Sequence, residues 1–304
     1  MRQPRFFLKL ALFFLLTLAA ALAAVGVYAS ESIAAAIITP GGQPVTGSPG
    51  DYGLTYREVT LTTADGLRIS GWYLPGRTPN AVILAHGIGG NRQELFPAAI
   101  MLVEAGYHVL TIDLRGYGRS EGTVRTFGYT EALDIQAGVD FLLDQPGIRH
   151  VGAMGFSLGG ATIIRAARLD DRIEALVILS SFDTLEHAAR DQFRQVPDPF
   201  GWMLTRLVIR AAERRVGLKI GQVNPAQDLA EMSPRPVFII HGLNDPLFPP
   251  TRGQALFNAA PGPKRIWLVE GVGHELPLNH PQEARQKVLI FFQEAFTDPH
   301  EPEN

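Results

Sequence analysis

Residues 150–160 read HVGAMGFSLGG, and they are the most informative segment for predicting the fold. Its apolar first part, 150–156, predicts a buried β-strand, and the apolar residues at helical spacing after it predict an α-helix. Ser157 therefore lies at a sharp turn, with Gly155 and Gly159 at positions where a side chain would strike neighbouring backbone. The start of a helix favours developing negative charge, which makes Ser157 a candidate nucleophile. The five-residue pattern alone arises by chance, and a serine there can simply cap a helix, but the strand–turn–helix context favours the nucleophile.

A serine hydroxyl is unreactive at neutral pH unless a base takes its proton and a third group orients that base. Candidates for both groups occur later in the chain. Asp245 follows the apolar run 237–242, and His274 follows the apolar run 267–269. Both residues are thus expected just past the carboxyl ends of strands, where ligands bind in open α/β sheets. The chain order Ser157, Asp245, His274 predicts a nucleophile–acid–histidine triad.

The domain around these residues is predicted to be an α/β fold. Glu58–Thr63 and Leu67–Tyr73 form a predicted β-hairpin with a glycine in its turn. Short apolar runs then alternate with helical segments, which is typical of a mostly parallel sheet with helices on both faces. The further predicted strands are 81–87, 107–114, 150–156, 175–180, 236–242 and 264–271. The sequence therefore predicts a sheet of about eight strands.

One insertion interrupts this alternation. About fifty residues separate the strand that ends near Ser181 from the strand that starts at Pro236, whereas an ordinary loop has roughly 2–6. The prolines and glycines in the insertion favour several short helices, so a helical lid is predicted at about 182–233. Apolar lid residues either line an acyl-binding pocket or only pack the lid down; they include Phe200, Trp202, Leu204 and Leu207.

The N-terminus predicts a membrane segment. Residues 10–29 carry no charge, and a helix of them spans about 30 Å, the thickness of the hydrocarbon core. Arg2, Arg5 and Lys9 precede it, so the positive-inside rule predicts a cytoplasmic N-terminus and an extracytoplasmic domain. The length of the apolar run favours a single-pass anchor at 1–29. A cleaved signal peptide, followed by secretion, is the alternative, because small residues at its end suit cleavage.

The remaining domain organisation follows from composition. Residues 30–54 are rich in Pro, Gly and Ser and predict a linker between the membrane segment and the domain. The folded domain is predicted at 55–298, and residues 299–304 are predicted to be a C-terminal tail.

Composition excludes several other classes of protein. The 304 residues are 46% hydrophobic and 19% charged, which predicts a folded globular chain rather than a disordered one. A net charge of −3 gives no basic surface, so no nucleic-acid partner is expected. The lack of cysteine excludes disulfides, thiolate metal sites and a cysteine nucleophile. No metal-ligand spacing occurs, and the glycine-rich loops at 87–89 and 116–118 lack a third glycine, so neither a metal nor a cofactor is expected.

Together these motifs resemble the α/β-hydrolase family over nearly all of residues 55–296. The matching segments are His86-Gly87-Ile88-Gly89-Gly90, Asp113-Leu114-Arg115-Gly116-Tyr117-Gly118-Arg119-Ser120, Gly155–Gly159 and the segments around Asp245 and His274. They are most similar to the lipase/esterase and serine-aminopeptidase-like branch. The resemblance implies an oxyanion hole formed by the backbone N–H groups of Ile88 and Leu158, with His86 orienting its loop. Ile88 replaces a glycine of the HGGG motif, so this motif of one lipase class is not kept.

Other titratable residues compete for these roles. Asp183 follows the sixth predicted strand and is the alternative to Asp245 as the triad acid; we favour Asp245 for its position. His241 is interpreted as a loop-organising residue, and Asp113 is expected to brace the loop after the fourth strand. His280 is expected at the surface.

These features predict a membrane-anchored serine hydrolase that cleaves carboxylic esters or related acyl compounds through an acyl-enzyme. The expected partner is a small-molecule acyl substrate, in addition to the membrane that the N-terminal helix enters. A peptidase or amidase with the same triad is one alternative, and a catalytically silent binding protein on the same fold is another. The sequence leaves the substrate, the acyl-chain length and the oligomeric state open.

Overall fold

A single sheet forms the centre of the molecule. The computed structural model describes residues 3–275 and 282–297, with side chains from residue 6 onward, so the end of the predicted domain and the tail at 299–304 lie outside it. The strands of the sheet are β1 (Arg57–Thr62), β2 (Arg68–Leu74), β3 (Asn80–Ala85), β4 (His108–Ile112), β5 (His150–Phe156), β6 (Ile173–Leu179), β7 (Val237–Gly242) and β8 (Lys264–Val269). They lie in the order β1-β2-β4-β3-β5-β6-β7-β8.

The sheet is mostly parallel. Strand β2 pairs antiparallel with both β1 and β4, and each of the other pairs is parallel. The predicted fold class, with about eight strands and an antiparallel hairpin at one edge, is therefore confirmed. Strands β5, β7 and β8 run in the same direction, so their carboxyl ends meet at one edge of the sheet.

Helices cover both faces of the sheet. The α-helices of the described residues, whether on the sheet or beyond its edge, are α1 (Gln3–Ile38), α2 (Phe96–Glu104), α3 (Ala132–Leu143), α4 (Leu158–Leu169), α5 (Leu185–Gln192), α6 (Phe200–Val216), α7 (Pro225–Glu231), α8 (Pro250–Ala259) and α9 (Gln282–Ala295). The strands are continuous apolar runs because alternate side chains enter two different cores. In β3, Ile83 packs in the core under α3 and α4, whereas Val82 and Leu84 pack in the core under α2 and α9.

The insertion between β6 and β7 divides into two parts. Helices α5 and α6, which we call the cap, lie above the carboxyl edge of the sheet. Helix α7 instead packs against α4, and its Leu229 is fully buried in a core of the sheet. The cap is therefore smaller than the lid predicted at about 182–233, because the last helix of that segment flanks the sheet.

Helix α1 is longer than the predicted membrane segment. It continues to Ile38 because residues 30–38 contain no glycine or proline, and Pro40 is the first residue after them that cannot continue a helix. The stretch Phe6–Ile38 is long and apolar enough to cross a membrane, and its most apolar window is not buried in the protein. A helix of this kind is suited to be a membrane span or a signal sequence.

The segment predicted as a linker at 30–54 differs from that prediction because it is packed. Its first nine residues belong to α1. Further on, the N–H of Gln43 donates to the carbonyl oxygen of Gly89 at 3.1 Å, and the side-chain amide of Asn91 donates to the carbonyl oxygen of Gln43 at 2.9 Å. Pro/Gly/Ser composition indicates irregular backbone, but it does not show whether that backbone finds hydrogen-bond partners on the domain.

Candidate active site

The turn between β5 and α4 carries Ser157 at the carboxyl edge of the sheet. Its backbone has φ 53° and ψ −112°, a positive-φ conformation that a residue other than glycine rarely adopts. A Cβ atom on Gly155 would lie 2.3 Å from the carbonyl oxygen of Gly159, and one on Gly159 would lie 2.0 Å from that of Ala85. Any larger residue at either position would collide with backbone, which is the physical reason for the glycine pattern.

Three side chains converge beside this turn. The Nε2 atom of His274 lies 3.0 Å from Oγ of Ser157, and its Nδ1 atom lies 2.7 Å from Oδ2 of Asp245. The imidazole lies between the rings of Phe156 and Phe248, each with its centroid 5.2 Å away. The structure thus brings together the three residues that the sequence analysis proposed as a triad, although their catalytic roles stay a prediction.

The environment of Asp245 keeps its carboxylate charged. Burial, the largest single effect, would raise the pKa of Asp245, but the hydrogen bond and charge of His274 and the backbone N–H groups of Phe248 and Leu247 together outweigh it. Both N–H groups donate to Oδ1 at 2.8 Å, and the pKa of the carboxyl is consequently below its ordinary value. A charged Asp245 accepts the Nδ1–H of His274, which leaves Nε2 free to accept the proton of Ser157.

Two backbone N–H groups are available near Ser157. The loop after β3 lies against the serine, since a Cβ atom on Gly87 would lie 3.3 Å from the Cβ of Ser157. Among the described residues, the N–H of the next residue, Ile88, makes no backbone hydrogen bond, and neither does that of Leu158 in the first turn of α4. The resemblance to the α/β-hydrolase family implies that these two N–H groups form the oxyanion hole, and that role is still a prediction.

His86 and Glu94 hold the loop after β3 in place. Nδ1 of His86 lies 2.7 Å from the carbonyl oxygen of Gly87, and its Nε2 accepts the N–H of Leu114 at 3.0 Å. Burial lowers the pKa of His86, so the ring is neutral, as these two bonds require. The carboxylate of Glu94 accepts the N–H of Gly87 at 2.6 Å. The loop-orienting role of His86 was expected from the sequence, but that of Glu94 was not, because one acid in an irregular loop forms no recognisable pattern.

The alternative acid, Asp183, has different partners. Its Oδ2 atom lies 2.7 Å from Nδ1 of His187, and its Oδ1 atom lies 3.8 Å from Nε of Arg252. The structure therefore places Asp245, and not Asp183, on His274.

The other titratable residues brace loops. Nε2 of His241 lies 3.0 Å from the carbonyl oxygen of Phe248, and burial lowers the pKa of this histidine. Asp113 accepts the backbone N–H of Arg92 at 2.7 Å and pairs with its guanidinium at 2.8 Å. His280 lies outside the described residues. Within 3–275 and 282–297, no group of three or more His, Asp or Glu side chains is arranged to hold a metal ion.

An apolar cavity of about 460 Å³ reaches Ser157 and His274. This volume lies within the range of small-molecule sites. Its apolar lining comes largely from the cap and from loops at the carboxyl edge, and includes Phe127, Phe182, Leu185, Val208, Ile209 and Phe248. The four lid residues considered in the sequence analysis do not line the cavity; Phe200 and Trp202 are exposed instead. A helical pattern identifies an apolar lid, but only the packing decides which turn of the helix faces the site.

Known proteins are similar to this chain over most of the domain. Residues 80–224 match the family described as the alpha/beta hydrolase fold. An uncharacterized protein of Mycobacterium tuberculosis is 30% identical over 226 residues, which cover 73% of each chain. A thiohydrolase of Aspergillus aculeatus is 35% identical over 203 residues, which cover 62% of this chain and 61% of that protein. An esterase structure from Pyrococcus furiosus superimposes with a TM-score of 0.70 at 25% identity, covering 84% of this chain and 99% of its own.

Proposed function

Because this chain belongs to the α/β-hydrolase fold family, we propose that it is a serine hydrolase that cleaves carboxylic esters or related acyl compounds through an acyl-enzyme. The esterase-like fold supports hydrolase activity in general. One observation carries the finer proposal: Ser157 lies 3.0 Å from His274, which lies 2.7 Å from Asp245. A hydroxyl, an oriented imidazole and a buried carboxylate in that order are the groups that activate a serine.

The proposed reaction has two steps. Oγ of Ser157 attacks the acyl carbon while its proton passes to Nε2 of His274, and Asp245 stabilises the imidazolium that forms. The same proton then goes to the departing alkoxide or thiolate, which leaves the acyl group on Ser157. In the second step, His274 takes a proton from water, the hydroxide attacks the acyl carbon, and the proton returns to Ser157 as the carboxylic acid leaves.

Each step passes through a tetrahedral oxyanion. In our proposal the N–H groups of Ile88 and Leu158 bind this oxygen, because neither makes a backbone hydrogen bond within the described part of the chain and both belong to segments next to the serine. The positive end of the α4 dipole also lies at Ser157. His86 and Glu94 would act only indirectly, as positioning residues for the loop that carries Ile88.

The cavity supports an acyl substrate rather than a peptide. Its walls are mostly apolar, and a peptide backbone placed there would leave N–H and C=O groups without hydrogen-bond partners. The similar proteins described as an esterase and a thiohydrolase make an acyl–oxygen or acyl–sulfur bond the natural target. Paired assays with p-nitrophenyl esters and aminoacyl anilides separate this proposal from a peptidase or amidase.

We further propose that α1 is an uncleaved single-pass anchor, with the N-terminus in the cytoplasm and the domain outside. Arg2, Arg5 and Lys9 precede the apolar run, which supports this orientation. Protease added to sealed right-side-out vesicles is expected to digest the domain. Digestion only after the vesicles are opened would contradict the orientation, and release of the domain without α1 would indicate signal cleavage.

The enzymatic proposal is tested with an alkyl fluorophosphonate probe, which labels an activated serine. We expect the wild-type protein to be labelled and Ser157→Ala to be unlabelled. Ser180→Ala is the matched control, because the buried hydroxyl of Ser180 has no hydrogen-bond partner among the described residues. Absence of label on folded wild type would refute a serine hydrolase, and label retained on Ser157→Ala would refute this nucleophile.

A further inference from the structure

The end of α1 is part of the wall of the active-site cavity. Ile37 and Ile38, in its last turn, line the same cavity as Ser157 and His274. Helix α1, whose apolar first part is suited to a membrane, thus ends at the cavity that reaches the proposed nucleophile.

Arg125 fastens this end of the helix. Its backbone N–H donates to the carbonyl oxygen of Ile38 at 2.7 Å, and its guanidinium donates to those of Ile37 at 2.5 Å and Thr39 at 3.3 Å. The buried guanidinium also donates to the hydroxyl of Tyr117. A cation at the carboxyl end of a helix is stabilised by the helix dipole. Release of α1 would leave this buried cation without the carbonyl partners at the end of the helix, so the helix end is a built part of the site.

The cap holds the preceding turns of α1. Ala34 and Ala211 are fully buried against each other's helices, together with Val208 of α6. Glu31, two residues after the end of the apolar run at 10–29, pairs with Arg215 at 2.9 Å and with Arg214. Helix α6 therefore both contacts α1 and lines the cavity.

Helix geometry then sets the height of the cavity above a bilayer. If residues 10–29 cross the hydrocarbon core, the nine residues 30–38 rise about 13 Å beyond it. The polar headgroup layer takes up about 5–8 Å of this distance. The cavity wall at Ile37 consequently stands just outside the headgroups, with an apolar interior that a lipid chain could enter over a short path.

From this arrangement we propose that the substrate is a long-chain acyl ester resident in the bilayer, and that Ile37 is a specificity-determining wall of its acyl site. The inference rests on the proposed function and adds the substrate class to it. Recognition would come from burial of the acyl chain in the cavity, while the scissile carbonyl lies at Ser157.

The first experiment fills the cavity from the side of α1. Ile37→Trp and the control Ala36→Trp, at the adjacent exposed position, are made in the full-length protein. Each is reconstituted into vesicles of phosphatidylethanolamine and phosphatidylglycerol, and hydrolysis of p-nitrophenyl acetate and p-nitrophenyl dodecanoate is measured. We expect Ile37→Trp to lower kcat/KM for the dodecanoate about tenfold or more with little change for the acetate, and Ala36→Trp to change neither.

The outcomes separate this inference from the proposed function. Equal effects of Ile37→Trp on both esters, or no effect on either, would overturn the acyl-site assignment while leaving a working serine hydrolase. A wild-type enzyme that hydrolyses the acetate but not the dodecanoate would do the same. If wild type hydrolyses neither ester and takes no fluorophosphonate label, the proposed function itself is refuted, and this inference with it.

A second arm tests the bilayer as the source of substrate. p-Nitrophenyl hexadecanoate is placed either in the vesicles that carry the protein or in separate protein-free vesicles, at the same total concentration. We expect faster hydrolysis when ester and protein share a bilayer, because the chain then reaches the cavity without crossing water. Equal rates would show that the ester arrives through solution and would overturn the bilayer source.

Discussion

The carboxyl edge of the sheet and the cap contribute to the same cavity but are built differently. At the edge, Ser157, Asp245 and His274 are held by short loops whose backbone is fixed by glycines and by buried hydrogen bonds. The cap and the end of α1 form their part of the cavity with apolar side chains from distant parts of the sequence. Apolar packing tolerates substitution when volume is kept, whereas a reacting group cannot move by 1 Å without loss. Changes at the edge should therefore affect turnover of every ester, and changes in the cap should affect the choice among esters.

The largest effect is expected at Asp245. Asp245→Asn keeps the shape of the side chain but removes the charge that orients His274, so kcat should fall by about 10⁴ for short and long esters alike. Steady-state kinetics with p-nitrophenyl acetate and dodecanoate measure this directly. Asp183→Asn is the matched control at the competing acid, and we expect it to retain most of the activity. If Asp183→Asn caused the larger loss, the assignment of the acid would be wrong.

A smaller and more selective effect is expected at Arg125. Arg125→Met removes the guanidinium donors to the carbonyl oxygens of Ile37 and Thr39 but keeps the backbone bond to Ile38, so the wall at Ile37 should loosen. The ratio of kcat/KM for the dodecanoate to that for the acetate should fall about tenfold, with a smaller change for the acetate alone. Arg206→Met, at an exposed position of α6, should leave the ratio unchanged. An equal fall in kcat/KM for both esters would show that Arg125 supports catalysis in general and does not determine the choice among esters.

The smallest effect is the pH dependence of folding stability at the edge. Burial lowers the pKa of both His86 and His241 below the ordinary value. As the pH falls, each histidine therefore stays neutral in the folded protein at pH values where the same histidine of the unfolded chain already binds a proton. Their contribution to stability is therefore complete above about pH 6.5 and is lost as the pH falls from there toward the folded pKa.

Denaturant unfolding between pH 7 and pH 5 measures this slope. Each neutral histidine contributes up to about 1.4 kcal/mol per pH unit to the fall in the unfolding free energy. His241→Gln should reduce the slope by one such contribution, and the double variant with His86→Gln should reduce it by two. An unchanged slope in both variants would contradict the neutral state of these histidines in the fold.

Local sequence was sufficient to predict the features that depend only on backbone geometry and on the spacing of apolar residues. Gly155 and Gly159 indicated the turn at Ser157 because only glycine clears the backbone there. Continuous apolar runs indicated strands buried on both faces, and positions just after two of them indicated Asp245 and His274. Arg125 and Glu94 escaped notice because single polar residues in irregular loops have no spacing that marks their partners.

The α/β fold, the sharp turn at Ser157 and the edge of the sheet where polar residues collect could be predicted from the residues alone, because they depend on steric limits and on periodicity along the chain. Three sets of contacts exist only in the folded protein: α1 continues to the cavity, residues 39–54 pack on the domain, and the later turns of α6 form part of the cavity wall. These contacts join residues far apart in the chain through apolar surfaces. Such surfaces are non-directional, so the sequence marks them as apolar without specifying what they meet.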